Sequence, residues 1–133
     1  DEIYGVLHRK ELVVLTGEKR IALAGQIVIN AAKAGFGVLL FSPDTETSQT
    51  VAEYVQVCKV LKETAHKLNA PAIFCIEECP ASIEDLVDAI WHLEGDYLHL
   101  VRDTLRSGYR VKLHWDATLR RFRECEDYFD VIM

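Results

Sequence analysis

Continuous apolar runs alternate along this chain with longer segments in which apolar residues recur every three or four positions. The run ELVVLTG (11–17) predicts a strand buried on both faces, because its β-branched residues follow one another without polar interruption. FGVLLFS (36–42) and PAIFCIE (71–77) predict two more buried strands of the same kind. Three such strands predict a sheet that is covered on both sides.

The segments between these runs have the spacing of helices. KRIALAGQIVINAAKAG predicts a helix over 19–34 that stops at Gly35, a residue suited to a left-handed cap. A longer helix is predicted to begin at Thr47 or Thr50, where Thr50 and Glu53 have the spacing of a capping box. It is predicted to run to about Leu68, where Asn69 and Pro71 end it. Strand and helix therefore alternate, with connections long enough to cross over between parallel strands.

The second half of the chain has weaker patterns. Ser82 with Asp85 is typical of a helix start, so we predict a helix from there to about Gly95, followed by one or two helical turns over 96–106. The alternating segment YRVKLHW (109–115) predicts a strand whose Arg110 and Lys112 share one face. The tail after it is expected to hold a short helix and an edge strand, and IYGVLH (3–8) to add another edge strand.

These elements predict a single α/β domain over residues 1–133. We expect a three-layer sandwich in which helices flank a mostly parallel sheet. The helix over 19–34 is apolar almost all round, whereas a helix on one face of a sheet normally carries a polar stripe. This excess predicts a contact between subunits, at Ile27, Ile29 or their neighbours.

Composition and charge restrict the classes of function. Half of the residues are hydrophobic, and no apolar run approaches the roughly 18 residues of a membrane span. Four cysteines without regular spacing do not suggest a disulfide scaffold, so we expect a cytoplasmic protein. The net charge of −6 argues against general nucleic-acid binding. Nevertheless residues 102–123 hold seven Arg and Lys against two Asp, and this basic stretch is suited to a small anion or an acidic partner.

Open α/β sheets place their functional groups at the carboxyl ends of the strands. The first strand end lacks the glycines of a phosphate-binding loop, and no GxSxG nucleophile motif is present. Glu18, Asp44 and Glu77 lie at the ends of predicted strands and raise the alternative of a divalent-ion site. Asp44, Glu46 and Glu77 also raise the alternative of a metal-dependent phosphoryl-handling enzyme. We nevertheless expect no metal and no cofactor.

Two cysteines four residues apart, Cys75 and Cys79, lie where the third predicted strand gives way to a helix. Four interpretations are open: small hydrophobes in a core, a disulfide, half of a metal site, or a sulfur-handling site. A helix amino end favours a thiolate, whereas the intervening Glu77 and Glu78 disfavour one. Cys58 lies on the apolar stripe of its helix and is most simply a core residue.

The order of these parts resembles the DsrE/DsrF-like family of small sulfur-relay proteins. The resemblance rests on AAKAGFGVLLF, AHKLNAPAIFC and IEDLVDAI, and covers roughly residues 11–90. It implies a flavodoxin-like arrangement of sheet and helices. The chain departs from the family pattern where Glu78-Cys79-Pro80 follows the cysteine segment and where Ala89 replaces a glycine.

The resemblance implies that Cys75 accepts sulfur as a persulfide and passes it to a partner such as a TusA-like carrier, with Cys79 as a resolving or second acceptor thiol. It also implies a homo-oligomer, a trimer or a hexamer. The first functional expectation is therefore a sulfur-transfer protein, either a sulfur carrier or a sulfurtransferase. The alternative is a non-catalytic oligomeric module that binds a small anion or a protein through Arg110, Lys112, Arg120 and Arg121.

Overall fold

The computed structural model describes residues 7–43, 50–95, 97–103, 109–118 and 121–131. It contains two α-helices and seven strands in these residues. In chain order the elements are β1 (Leu12–Gly17), α1 (Arg20–Lys33), β2 (Leu39–Phe41), α2 (Val51–Leu68), β3 (Ala72–Cys75), β4 (Ala89–Glu94), β5 (Tyr97–Asp103), β6 (Tyr109–Asp116) and β7 (Arg121–Val131). A single 3₁₀ turn, Ala81–Ile83, lies between β3 and β4.

The strands form one sheet in the order β2-β3-β1-β4-β5-β6-β7. The pairs β2–β3, β3–β1 and β1–β4 are parallel, whereas β4–β5, β5–β6 and β6–β7 are antiparallel. Helices α1 and α2 supply the crossovers between the first three parallel strands. The predicted α/β class is confirmed, and the sheet has an antiparallel extension of which the strand over 109–115 and an edge strand in the tail were predicted.

Apolar side chains cover both faces of the central strand β1. Val13 and Leu15 pack with Leu23 and Ile27 of α1 in one buried cluster. Leu12 and Val14 of the same strand belong to a second cluster that includes residues of α2. Because neighbouring residues of a strand point to opposite faces, the two helices lie on opposite faces of the sheet.

The helix boundaries follow local sequence signals. Thr50 and Glu53 form the predicted capping box, in which the Thr50 hydroxyl accepts from the Glu53 amide at 3.2 Å. Asn69 ends α2 in the left-handed conformation, and Gly35 follows α1 with φ of 88°. These predictions are confirmed.

The helix predicted from Ser82 to Gly95 is wrong. After the 3₁₀ turn, residues Ala89–Glu94 form β4, which lies between β1 and β5. Ile90 is buried on one face of the sheet and Trp91 on the other. Burial on both faces between two strands stabilises the extended form more than a helix-start signal stabilises a helix.

Other segments also differ from prediction. β5 occupies residues 97–103 of the segment where helical turns were predicted. In the tail, β7 confirms the predicted edge strand, whereas the short helix expected there is not found in residues 121–131. β2 is shorter than predicted and lies at the sheet edge, with Leu40 and Phe41 exposed. In the segment 3–8, residues 3–6 lie outside the described residues, and residues 7 and 8 are not in a strand.

Helix α1 is only partly covered by its own chain. Ile27 is fully buried against the sheet, so its predicted role in a subunit contact is wrong. Ile21 and Ile29 are each 56% exposed. The surplus apolar surface of α1 therefore lies at these two residues. Among the described residues, no helix has the length and apolar character needed to cross a membrane.

Candidate functional site

The carboxyl ends of β1, β3 and β4 lie side by side, since β1 pairs in parallel with both neighbours. Gly17, Cys75 and Glu94 are the last residues of these strands. The turn from β1 into α1 crosses this edge. We call residues 17–20 the β1–α1 turn.

Cys75 lies beneath this turn and is 1% exposed. Its Sγ is 3.9 Å from the backbone oxygen of Arg20, and its side chain packs in the cluster that α1 covers. Burial raises the pKa of the Cys75 thiol to about 11, against the opposing effect of the nearby Arg20 charge. The thiol is therefore protonated and enclosed in this conformation.

The structure does not bring Cys75 and Cys79 together. Cys79 is half-buried and packs against the cluster on the α2 face, with its Sγ 3.8 Å from the Pro80 oxygen. Burial and, to a smaller extent, the charge of Glu84 raise the pKa of Cys79 to about 11, against the opposing effect of the Arg102 charge. The two thiols thus pack on opposite faces of the sheet.

Cys79 shares its face of the sheet with Cys58. The Cys58 thiol is 1% exposed, in agreement with its predicted core position. Burial raises the pKa of Cys58 to about 11, with Cys79 as the second cause. The free thiols among the described cysteines are those of Cys58, Cys75 and Cys79.

Arg20 is the most unusual charged residue at this edge, because it is only 8% exposed. Its Nη1 donates to the backbone oxygen of Gly17 at 2.9 Å, which holds the guanidinium beside the end of β1. Its buried Nε has no hydrogen-bond partner. No carboxylate of the described residues forms an ion pair with it. Arg20 is therefore a buried cation without a counter-ion in the described part of the chain.

The start of α1 adds positive potential at the same place. Lys19 is the N-cap residue, no side chain caps the helix, and its first turn contains no acidic residue. Free N–H groups give a helix amino end partial positive charge. Glu18 supplies one exposed carboxylate in the turn itself. The positive charges of Lys19 and Arg20 are electrostatically unfavourable at the positive end of a helix, and a bound anion would offset them.

Gly17 is required by the geometry of the turn. Its φ is +116°, a conformation that residues with a side chain rarely adopt. A Cβ at this position would lie 2.1 Å from the Leu93 backbone oxygen. The absence of a side chain thus permits β1 and β4 to pair as far as the turn.

A second polar group on this edge was missed by sequence reasoning. Thr16 and His92 are direct partners in the β1–β4 pair, and the Thr16 Oγ1 is 2.8 Å from the His92 Nδ1. The His92 Nε2 is 3.7 Å from a Glu94 oxygen. Thr16 is buried, whereas His92 is half-exposed. Only the strand register joins these residues, and the sequence pattern placed His92 on a helix.

Three of the four predicted anion-binding residues of the basic stretch fall on the antiparallel extension. Arg110 and Lys112 lie on β6, opposite His99 and Tyr97 of β5. Arg121, at the start of β7, lies opposite Asp116 in the register of the β6–β7 strand pair, and Arg120 lies outside the described residues.

The end of β6 contacts the β1–α1 turn. The Lys19 Nζ lies 4.2 Å from the centre of the Trp115 ring, within the range of a cation–π contact. The basic stretch and the turn, which are about 90 residues apart in sequence, therefore meet in space.

The acidic residues considered as metal ligands are not gathered by the described structure. Glu18 and Glu77 are exposed, and Asp44 and Glu46 lie outside the described residues. Within the described ranges, no three His, Cys, Asp or Glu side chains are grouped so that they could hold a metal ion.

Comparison with known proteins leaves the family open. No protein-family profile matches the sequence, and no curated protein matches it. The geometry of the chain itself must therefore support any function.

Proposed function

We propose that this protein is a binding module for a small oxyanion, which it holds at the β1–α1 turn. The observation that supports the proposal is the buried guanidinium of Arg20, whose Nε has no partner. A buried cation without a counter-ion costs several kcal/mol, and that cost falls when an anion pairs with it. A bound oxyanion would supply both the missing charge and the missing acceptor.

An oxyanion suits this turn better than a neutral ligand. The planar guanidinium donates in pairs to phosphate, sulfate or carboxylate oxygens. The uncapped N–H groups at the start of α1 favour the same ligands. Glu18 opposes them, but it is exposed and its charge is screened by water.

The basic stretch has a role in this proposal. Trp115 of β6 contacts Lys19. Asp116 follows Trp115 on β6, and the strand register places Arg121 of β7 opposite Asp116. Cations carried on this part of the sheet would raise the local concentration of an anion that approaches the turn. Arg110, Lys112, Arg120 and Arg121 are therefore proposed as steering residues.

Calorimetric titration with inorganic phosphate at constant ionic strength tests the proposal. We expect Arg20→Gln to weaken phosphate binding about tenfold or more, because a hydrogen bond to a charged group contributes roughly 1.5–3 kcal/mol. Phosphate at about 100 times its Kd should also stabilise the parent by about 2.7 kcal/mol.

Lys33→Gln is the matched control, since Lys33 is a cation at the opposite end of the same helix. It should bind phosphate like the parent. Equal affinities of the parent and Arg20→Gln would exclude the site. A loss in Lys33→Gln as large as in Arg20→Gln would show that net charge alone controls binding.

A second candidate function is sulfur transfer to a TusA-like carrier. In this case the fold would be a DsrE/DsrF-like three-layer sandwich, and Ile21 and Ile29 would lie in a contact between subunits of a homo-oligomer. The observation that favours it is the position of Cys75 beside the backbone of Arg20, whose charge partly offsets the burial that raises the thiol pKa to about 11. An anionic sulfur donor at the turn would thus lie near this thiol. The burial of Cys75 weighs against the candidate, because the turn must open before the thiol reacts.

Mass spectrometry after incubation with polysulfide tests this second candidate. A persulfide on Cys75 that a reductant removes would support it. Cys75→Ser should then abolish loading, and Cys58→Ala should leave loading unchanged. Full loading of Cys75→Ser would exclude Cys75 as the acceptor.

A further inference from the structure

A concave surface lies at the amino edge of the parallel strands, opposite the edge that carries the β1–α1 turn. It is a pocket of about 630 Å³ between the ends of α1 and α2 and the starts of β2 and β3. This volume falls in the range of small-molecule sites, which is about 300–1,000 Å³. The pocket shares no residue with the β1–α1 turn.

The pocket is mostly apolar. Ala31, which is 1% exposed, contributes to it from α1, and Pro71 contributes from the start of the β3 segment. Phe36 and Leu68 also line it, although they are 49% and 61% exposed. Apolar side chains that are half-exposed around a concavity mark a site where apolar surface is covered by a ligand.

Arg9 is the charged side chain among the described lining residues, and no carboxylate lines the pocket with it. Its guanidinium carbon lies 5.7 Å from the centre of the Phe36 ring. This contact holds one positive charge beside an apolar surface. The charge of the pocket is therefore complementary to a ligand with a single negative group.

The carboxyl ends of α1 and α2 border the pocket, and their partial negative charge opposes the full positive charge of Arg9. The amides of Gly35 and Phe36 donate to the oxygens of Ala32 and Ala31, and thereby satisfy two of the last carbonyls of α1. At the end of α2, the amide of Ala70 donates to the Ala65 oxygen at 3.1 Å. Hydrogen-bonded carbonyls compete weakly with a carboxylate for the guanidinium.

We infer that this pocket binds a small amphiphilic carboxylate, with its hydrocarbon body against Ala31, Phe36 and Leu68 and its carboxylate on Arg9. The apolar lining contributes affinity through buried area, and the guanidinium provides selectivity for the acid over neutral molecules.

Titration of the full chain with octanoate and with 1-octanol tests the inference, by calorimetry and by amide NMR shifts. Octanoate should bind the parent at least tenfold more tightly than octanol, and it should shift the Gly37 amide. Arg9→Gln should bind the two ligands within about twofold of each other. Lys10→Gln removes the neighbouring cation, which does not line the pocket, and should retain the parent's preference.

Gly37→Leu separates pocket binding from adsorption elsewhere. Gly37 lines the pocket and a Cβ there would meet nothing within 4 Å, so the substitution should add apolar volume at the pocket without disturbing the backbone. It should reduce octanoate affinity at least tenfold with an unchanged unfolding transition. Equal binding of octanoate to the parent and Gly37→Leu would overturn the inference. So would binding that begins only after removal of residues 1–6, because that segment would then be the occupant.

Discussion

Gly17→Ala should be one of the most damaging small substitutions in this chain. The change adds a single methyl group at the end of β1. That methyl carbon would lie 2.1 Å from the Leu93 backbone oxygen, whereas real contacts of this kind are longer than 3.0 Å. β1 and β4 would have to separate by about 1 Å where they now pair.

Two costs determine the size of the effect. A residue with a side chain at positive φ is strained by about 1–3 kcal/mol, and Gly17 has φ of +116°. Loss of a backbone hydrogen bond between the displaced strands adds about 0.5–1.5 kcal/mol. We therefore expect Gly17→Ala to lower the free energy of unfolding by about 3 kcal/mol. For a chain of 133 residues this corresponds to about 10 °C in Tm.

Urea unfolding followed by circular dichroism measures this loss, with Gly37→Ala as the matched control. Gly37 has open space around the added carbon, so its substitution should be neutral or stabilise by about 0.4–1 kcal/mol. Gly17→Ala should also weaken phosphate binding, because the Gly17 oxygen holds Arg20 in place. A free energy of unfolding within about 1 kcal/mol of the parent would refute the close approach of β1 to Leu93.

Three further substitutions test the packing around the site. Cys75→Ala should reduce the loss of stability between pH 9 and 11. The folded pKa of about 11 exceeds the ordinary thiol pKa of 9.0, so only the unfolded thiol ionises in this range and the stability of the parent falls with rising pH. Parallel stability–pH curves for the two proteins would contradict this. Gln26→Ala should lower the free energy of unfolding in urea by about 1–3 kcal/mol, because the Gln26 amide both donates to and accepts from the Phe122 backbone. Gln56→Ala, at an exposed position, is its control, and equal losses of stability in the two variants would contradict the contact. Asp88→Ala should cost about 1.5–3 kcal/mol by the same assay, since its carboxylate accepts from the Leu12 amide at 2.8 Å, and a neutral result would exclude that bond.

Local signals were sufficient wherever a short stretch of chain controls its own conformation. The capping box of Thr50 and Glu53 and the stop at Asn69 involve atoms only a few residues apart, so α2 was predictable nearly to the residue. β1 was predictable because a continuous apolar run of that length has few alternatives to a buried strand. The alternation of YRVKLHW likewise predicted β6.

β4 and β5 were not predictable in this way. Residues 82–95 carry a helix-start signal, yet Trp91 and Ile90 form a strand because β1 and β5 flank them. The choice depends on a neighbour about 75 residues away. Propensity, which differs by well under 1 kcal/mol per residue, is too weak to compete with such burial.

The candidate site illustrates the same limit. Sequence spacing drew attention to Cys75 and Cys79, but spacing along a chain does not determine which face of a sheet a side chain occupies after the strand ends. Arg20 carried no signal in the sequence, because its role depends on burial under the turn and on the absence of a partner for Nε. Burial, partners and the resulting electrostatics are properties of contacts between distant segments. Only the folded arrangement of β1, α1 and β3 creates them.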